Sequence, residues 1–218
     1  MYFASRVQAG RMLASQLYDK YRYENCAVLA LNDGGVVIGS QIAVKLHCVI
    51  NLLMMSEIVL PRENKAVAGI TSSGELMYNS EYSSGQIEEY KRDYFNLIEQ
   101  EKLSKMRDMN RLVGMGGTVK KSMLKGRHVI IVSDGLDNGF QLDLASEFLK
   151  PIKVESLVVA VPFASVKAVD RMHVLADDLY CLNVVSDYIS ADHYYDQKQL
   201  PSHKDIIATI EQIILNWK

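Results

Sequence analysis

Cysteine is scarce in this 218-residue chain, and the three cysteines present are not arranged for redox or zinc chemistry. Cys26, Cys48 and Cys181 lie far apart in apolar surroundings, and no CxxC pair occurs. Zinc sites and redox-active dithiols need closely spaced thiols, so neither is expected here. A small, odd number of cysteines is typical of a reducing cytoplasm, which is the predicted compartment.

Long apolar runs and an excess of basic charge are also missing. The longest apolar run, around Val49–Met55, is much shorter than the ~20 residues that a membrane-spanning helix needs, and the polar N-terminus does not resemble a signal peptide. With a formal net charge of -2, the chain offers no general basic surface for nucleic acid. We therefore predict no membrane and no nucleic-acid partner, whereas a small anionic ligand could still bind because it needs only a local site.

The sequence does contain a repeated alternation of short apolar runs and helical patterns. Ser5 is placed to cap a helix over 6–21, and Cys26–Leu31 is a continuous apolar run typical of a buried parallel strand. Further strands are predicted at 49–54, 57–60, 128–133, 156–161 and 180–185, and further helices at 36–46, 140–149, 164–176 and 205–217. This alternation predicts an α/β fold in which a parallel sheet is flanked by helices.

The segment 61–126 interrupts the alternation and is predicted to form a hood or flexible insertion. Strands at 66–70 and 75–79 flank a Ser-Ser-Gly turn and predict a hairpin. The polar segment 84–111 carries a helical apolar stripe, which indicates one long helix or two short ones. A mobile loop is expected at 112–126.

Domain count and assembly are also predicted from the pattern. No clear linker divides the chain, so we predict a single domain over residues 1–218. Apolar residues on the hood and the C-terminal helix indicate a homodimer.

Two glycine-containing loops follow predicted strands and could hold an anion or a sugar. The first consists of Asn32, Asp33, Gly34 and Gly35; the second consists of Ser133, Asp134, Gly135, Leu136, Asp137, Asn138, Gly139, Phe140 and Gln141. Ligands of parallel sheets bind beyond the carboxyl ends of the strands, where free N–H groups of the next helix favour anions. The Asp134 carboxylate could accept hydrogen bonds from sugar hydroxyls. The alternative is an ordinary turn in which Asp134 or Asn138 caps the helix.

Six blocks of sequence, in order, resemble the predicted phosphoribosyltransferase family of the type I class. FASRVQAGRMLASQL resembles the opening block, and ALNDGGVVIGSQIAVKL resembles the pyrophosphate-loop block, usually ALPRGGVPVA. EIVLPRENKAVAGITSSGELMYN resembles the hairpin block, and VIIVSDGLDNGFQLDLA aligns with the form VILVDDGIATGATMRAA. VVAVPFAS and the tail YYDQKQLPSHKDI also fit.

This resemblance implies a type I phosphoribosyltransferase-like fold and a specific chemistry. Such enzymes use Mg²⁺ and phosphoribosyl pyrophosphate, and they transfer ribose 5-phosphate to a nitrogenous base under a hood. By resemblance, residues 32–35 would be the pyrophosphate loop and residues 133–141 the ribose-phosphate loop, with Asp134 as the catalytic carboxylate.

Four features depart from the family pattern, all toward negative or bulky groups. Asp33 replaces an arginine, Glu57 replaces a lysine, and Ser133 replaces the first acid of a pair. The small residues and threonine of the phosphate loop are replaced by Asp137, Asn138, Phe140 and Gln141. At about 4 Å, one pair of unit charges is worth on the order of 4 kcal/mol at intermediate dielectric. The departures therefore disfavour ordinary binding of phosphoribosyl pyrophosphate, and Phe140 is expected to crowd the loop.

Three hypotheses remain open. The chain could be an active transferase, a non-catalytic relative that binds a nucleotide or a protein partner, or a protein whose pocket holds a less anionic nucleoside. Basic residues that could compensate are Arg62, Lys65, Lys120, Lys121 and Lys125, although solvated charges are the simpler interpretation. The acidic stretch Asp187, Asp192, His193 and Asp196 is interpreted as polar surface rather than a metal site, and no metal ligands are predicted.

Overall fold

Parallel strands and flanking helices form the body of the protein. The computed structural model describes residues 2–113 and 119–217. The strands within these residues are β1 (Cys26–Ala30), β2 (Val49–Leu52), β3 (Met55–Val59), β4 (Ala66–Thr71), β5 (Leu76–Tyr78), β6 (His128–Val132), β7 (Ser156–Ser165) and β8 (Asp178–Val185). The helices are α1 (Arg6–Tyr21), α2 (Asp33–Leu46), α3 (Ser84–Asp93), α4 (Phe95–Val113), α5 (Phe140–Leu149), α6 (Val166–Leu175) and α7 (His203–Trp217).

The main sheet has the strand order β2-β1-β6-β7-β8, and all its neighbouring pairs are parallel. From the central pair β1 and β6, the chain continues outward to β2 on one side and to β7 and β8 on the other. The carboxyl ends of β1 and β6 therefore flank a topological switch point, where ligands bind in sheets of this kind. The predicted parallel sheet flanked by helices is confirmed.

Helices cover both faces of this sheet because its strands are apolar on both faces. One core cluster joins α1, α2 and α7 to the sheet, and the other joins α5 and α6 to the opposite face. Helix α1 starts where Ser5 Oγ accepts a hydrogen bond from the Gln8 N–H at 3.2 Å, as predicted. The strand predicted at 156–161 extends to Ser165, because residues 163–165 also pair with β8. The helix predicted at 164–176 therefore begins later, at Val166.

The predicted helical and hairpin hood is confirmed, with one added strand. β3, β4 and β5 form an antiparallel sheet, and α3 and α4 pack beside it around Leu60, Val67 and Ile98. Two helices are present rather than one, because α3 has its own capping box at Ser83 and Gln86 and ends at Asp93.

The segment predicted as a mobile loop is partly regular. Residues 112 and 113 belong to α4, residues 121–123 form a short 3₁₀ helix, and residues 114–118 lie outside the described part of the chain.

Surface properties leave the assembly prediction open. Phe95 and Leu103 on α4 and Leu215 on α7 are exposed apolar side chains. The homodimer and the single-domain assignment both stay predictions. Within the described residues, none of the helices is long and apolar enough to span a membrane.

Candidate ligand-binding site

The two predicted loops meet at the switch point and are joined by one asparagine. Asn32 Oδ1 accepts a hydrogen bond from the Gly35 N–H at 2.6 Å, while its Nδ2 donates to Ser133 Oγ at 3.2 Å. The segment predicted as a loop before Val36 is therefore the capped first turn of α2, which begins at Asp33. This correction follows from Asn32, whose side chain satisfies an N–H of the first turn.

Asp134 lies at the end of β6 in an ion pair that sequence spacing does not reveal. Arg6 Nε lies 2.8 Å from Asp134 Oδ2, and both side chains are buried. The same guanidinium donates from Nη2 to Asp192 and from Nη1 to the Lys198 carbonyl oxygen at 3.3 Å. Its carbon lies 4.5 Å from the centre of the Tyr195 ring.

The neighbours of Arg6 stabilise its positive charge. Burial alone lowers the pKa of Arg6, but the neighbouring carboxylates of Asp192 and Asp134 raise it above its ordinary value. Tyr195 completes the arrangement because its hydroxyl donates to the Asp134 carbonyl oxygen at 2.9 Å. The pKa of Tyr195 is raised by burial and by the Asp134 charge, so this phenol stays a donor.

Part of the ribose-phosphate loop is held in place by hydrogen bonds within the protein. The Leu136 N–H donates to the Phe163 carbonyl at 3.2 Å, and the Phe140 N–H donates to Asn138 Oδ1 at 3.0 Å. The Gly135 N–H faces Ser133 Oγ at 3.4 Å. A Cβ on Gly135 would lie 2.7 Å from the Tyr188 hydroxyl, so the loop is also covered. Three of the loop's backbone N–H groups are thus engaged by the protein.

Phe140 does not crowd the mouth of this loop, contrary to the sequence-based expectation. Its ring is buried with Ala66 and Leu144, between α5 and the hood hairpin. Gly139 adopts φ +81°, which favours glycine and turns the chain into α5 so that Phe140 points to the hood. Phe140 is therefore a packing residue that joins the hood to the sheet domain.

The substitutions Asp137, Gln141 and Glu57 lie close together on the hood side of the loop. Burial raises the pKa of Glu57, a hydrogen bond from Gln141 opposes this, and the Asp137 charge raises it further. Glu57 itself remains partly open to solvent. These residues form an electrostatic cluster at the junction of hood and sheet.

A cavity of about 630 Å³ opens at the carboxyl end of β1, beneath helix α4. Its charged lining comprises Arg6, Asp33, Lys105, Asp108, Asp134, Asp192 and His203. Its apolar lining comprises Leu31, Leu52, Met54, Met55, Met109, Leu112, Ala191 and Leu200. Four carboxylates therefore face two permanent cations across a mainly apolar floor and roof.

Asp33 has a partner from the far end of the chain. His203 Nδ1 lies 3.1 Å from Asp33 Oδ1, and among the described residues the buried Nε2 of His203 has no hydrogen-bond partner. The carboxylate that replaces the family's arginine is thus held by the first residue of α7.

Several residues of this cavity were not predicted as site residues. Arg6 was noted only as part of the opening block, and Lys105, Asp108 and His203 carried no local motif. Asp192 lies in the stretch interpreted as polar surface; it is exposed as expected, and it also accepts a hydrogen bond from Arg6. Only the Glu/Lys/Asp-rich face of the predicted hood helix could have pointed to α4 as a charged wall.

The basic residues proposed as compensation lie elsewhere. Lys65 pairs with Glu81 at 2.7 Å, and Lys121 lies 3.4 Å from Glu75. None of the five predicted residues, which are Arg62, Lys65, Lys120, Lys121 and Lys125, is among the described lining of the cavity.

Comparisons with known proteins agree with this architecture. A family model described as the phosphoribosyl transferase domain matches residues 3–199. Two Mycobacterium tuberculosis proteins, from strains CDC 1551 and H37Rv and each named "Putative phosphoribosyl transferase", are 23% identical over 211 residues, which cover 96% of this chain and 46% of each relative. The chain thus spans about half the length of the curated relatives it matches.

Solved structures share the fold. The crystal structure of a protein from Thermus thermophilus superposes with a TM-score of 0.73 at 23% identity, covering 97% of this chain and 99% of that chain. A purine phosphoribosyltransferase from Pyrococcus horikoshii Ot3 gives a TM-score of 0.47 at 12% identity, covering 88% of each chain. The Thermus thermophilus structure therefore shares the fold of this chain along nearly its whole length.

Proposed function

The chain belongs to the phosphoribosyl transferase domain family, and from that premise we propose that it binds a nucleoside at the switch point without transferring ribose 5-phosphate. The observation that carries this proposal is the acidic lining of the 630 Å³ cavity. Asp33, Asp108, Asp134 and Asp192 outnumber the cations Arg6 and Lys105 around a space that the diphosphate of phosphoribosyl pyrophosphate would have to enter. Each close pair of like charges costs on the order of 4 kcal/mol at 4 Å and intermediate dielectric.

Closure of the ribose-phosphate loop supports the same proposal. A 5′-phosphate is normally held by backbone N–H groups at the start of a helix. Here the N–H groups of Gly135, Leu136 and Phe140 face protein oxygens. Binding a phosphate through these three N–H groups would require breaking their contacts, which supports a ligand without a 5′-phosphate.

The cavity offers what a nucleoside needs. Carboxylates accept hydrogen bonds from ribose hydroxyls, and Asp134 Oδ1 has no protein donor among the described contacts. A flat base would lie against Met54, Met109 and Leu112, which provide polarizable and apolar surface. The volume lies within the roughly 300–1,000 Å³ of typical small-molecule sites.

Calorimetric titration tests the proposal directly. Adenosine, guanosine, cytidine and uridine are titrated in turn, and phosphoribosyl pyrophosphate is titrated with magnesium. We expect saturable binding of at least one nucleoside, with a Kd between about 1 µM and 1 mM, and no heat from phosphoribosyl pyrophosphate. Tighter binding of phosphoribosyl pyrophosphate than of every nucleoside would overturn the proposal.

A charge-reversal variant tests the electrostatic cause. Asp33→Arg restores the cation of the family pattern and should create measurable affinity for phosphoribosyl pyrophosphate while weakening nucleoside binding. Asp93→Arg makes the same change in net charge at the end of α3, outside the described cavity lining, and should leave both affinities unchanged. Equal responses of the two variants would contradict a local electrostatic effect.

A second candidate function is favoured by the position of Asp134. Its carboxylate lies at the end of β6 beside residues 32–35, where the resemblance implies a catalytic acid in a magnesium-dependent phosphoribosyltransferase. Release of pyrophosphate from phosphoribosyl pyrophosphate, measured with adenine, guanine, hypoxanthine or uracil as acceptor, tests this candidate. Turnover that disappears in Asp134→Asn would establish the transferase in place of the binding protein.

A further inference from the structure

We propose that Arg6, rather than a divalent metal ion, is the resident cation of the carboxylates Asp134 and Asp192. Ligand binding at this site is therefore independent of magnesium. This inference deepens the proposed function, and only its ligand measurement rests on that function.

The guanidinium of Arg6 is fully engaged on the side of the two carboxylates. Its Nε, Nη1 and Nη2 atoms donate to Asp134, to the Lys198 carbonyl and to Asp192 respectively. Its face lies on the Tyr195 ring, and the side chain is only 4% exposed. A buried carboxylate needs a paired cation or several donors, and Arg6 supplies the paired cation and one donor, its Nε, for Asp134.

Backbone pairing places this cation. The Phe3 N–H donates to the Tyr194 carbonyl at 3.0 Å, and the Asp196 N–H donates to the Phe3 carbonyl at 3.0 Å. These bonds align the segment before α1 with residues 192–198, so Arg6, at the start of the helix, points between Asp192 and Asp134. The cation is therefore built into the fold from two distant segments.

A magnesium ion does not fit the same place. Mg²⁺ needs near-octahedral oxygen ligands at about 2.0–2.1 Å, whereas Asp134 Oδ2 faces a guanidinium nitrogen at 2.8 Å. A second cation there would overlap or repel Arg6. The first acid of the family's pair is Ser133, whose hydroxyl donates to the Gly135 carbonyl at 2.9 Å. Over residues 2–113 and 119–217, no group of three or more His, Cys, Asp or Glu side chains is arranged to hold a metal.

Thermal denaturation with and without magnesium tests whether Arg6, rather than a metal ion, neutralises Asp134. The wild-type Tm should be the same in excess EDTA and in millimolar magnesium chloride. Arg6→Ala leaves Asp134 buried without its cation, so its Tm should be lower in EDTA, and magnesium should raise it by about 2–4 °C. Arg11→Ala, which removes an exposed arginine from the same helix, should not respond to magnesium.

Electron paramagnetic resonance of Mn²⁺ provides a second measurement, which can be made on a variant that is only marginally stable. Arg6→Gln keeps much of the side-chain volume and serves if Arg6→Ala does not fold. We expect Mn²⁺ binding by the Arg6 variants and none by the wild type or by Arg11→Ala. Mn²⁺ binding by the wild type that is lost in Asp134→Asn, or a lack of response in both Arg6 variants, would overturn the inference.

The ligand measurement separates this inference from the proposed function. For any nucleoside that binds the wild type, the Kd should be unchanged between EDTA and magnesium. A Kd that tightens tenfold or more with magnesium would overturn the inference while leaving nucleoside binding intact. If no nucleoside binds, the proposed function fails, and the Tm and Mn²⁺ measurements still decide the role of Arg6.

Discussion

The two loops at the switch point have the same position in the fold but different relations to the cavity. Residues 32–35 follow β1 and open directly onto the cavity through Asn32, Asp33 and Gly34. Residues 133–141 follow β6, yet Asp134 alone among them is part of the described lining. The remainder pairs with β7 through Leu136 or packs against the hood through Phe140.

This difference gives the second loop a packing role that the first loop lacks. Hydrogen bonds within the second loop and the burial of Phe140 stabilise the junction of hood and sheet. The first loop keeps a solvent-accessible edge, but Asp33 gives it the charge opposite to the family pattern. The cavity of about 630 Å³ lies at β1 and α4, whereas Asn138 and Phe140 line a separate cavity of about 300 Å³.

The largest expected effect of a change in the second loop is on stability. Phe140→Ala empties a buried site and should lower the free energy of unfolding by about 3–5 kcal/mol, with nucleoside affinity unchanged. Urea denaturation and calorimetric titration measure the two quantities. Phe148→Ala, in the same helix but in the cluster beneath the sheet, is the matched control.

Hydrogen exchange distinguishes the two phenylalanine variants. Phe140→Ala should accelerate exchange of β4 amides more than Phe148→Ala does, because only Phe140 packs against the hairpin. A gain of phosphoribosyl pyrophosphate binding in Phe140→Ala would show that the ring, rather than the charges, closes the loop.

A change in the first loop should have a smaller effect on stability and a larger one on binding. A Cβ at Gly34 would overlap the Asp134 carboxylate and lie 2.9 Å from Arg6 Nε. Gly34→Ala should therefore cost about 1–3 kcal/mol and abolish nucleoside binding. Gly85→Ala, where nothing lies within 4 Å of the added carbon, should retain full binding. Binding that survives in Gly34→Ala would place the ligand away from the Arg6–Asp134 pair.

The smallest expected effect concerns the charge cluster between the second loop and the hood. Because the folded pKa of Glu57 is raised above its ordinary 4.5, ionising Glu57 costs stability. That cost is absent below pH 4.5 and complete once the pH exceeds the folded pKa. Glu57→Gln should therefore stabilise the protein slightly at neutral pH and flatten the pH dependence of Tm, whereas Glu155→Gln on the exposed surface should not. A Tm of Glu57→Gln below that of the wild type at pH 7 would contradict the claim that ionised Glu57 destabilises the protein.

Much of the local structure follows from short-range rules. Helix α5 begins and ends at the predicted residues, since Gly139 permits the turn into it and its apolar positions repeat with helical spacing. The hood helices divide at Asp93, which the apolar stripe alone could not locate because the stripe continues through Tyr94 and Leu97. The two loops were found because each follows a buried strand.

The direction of side chains in those loops did not follow from sequence. The sequence places Phe140 near the ligand because its neighbours in sequence belong to the loop. In the structure the turn at Gly139 starts α5, and the Phe140 side chain packs against the hairpin instead. The residues considered as compensation for Asp33 do not include His203, which lies against it from a helix that begins 170 residues later.

The sequence by itself determined the order of strands and helices, the family and the position of both loops, because these depend on periodicity, capping and local motifs. Only the tertiary structure decided that Arg6 and Asp134, 128 residues apart, form a buried pair and that Asp192 shares the same guanidinium. The physical reason is that charge pairing depends on distance in space, which packing of the N-terminal segment against residues 192–198 sets. The position of Asp134 at the end of β6 is therefore a property of the sequence, while its pairing with Arg6 is a property of the fold.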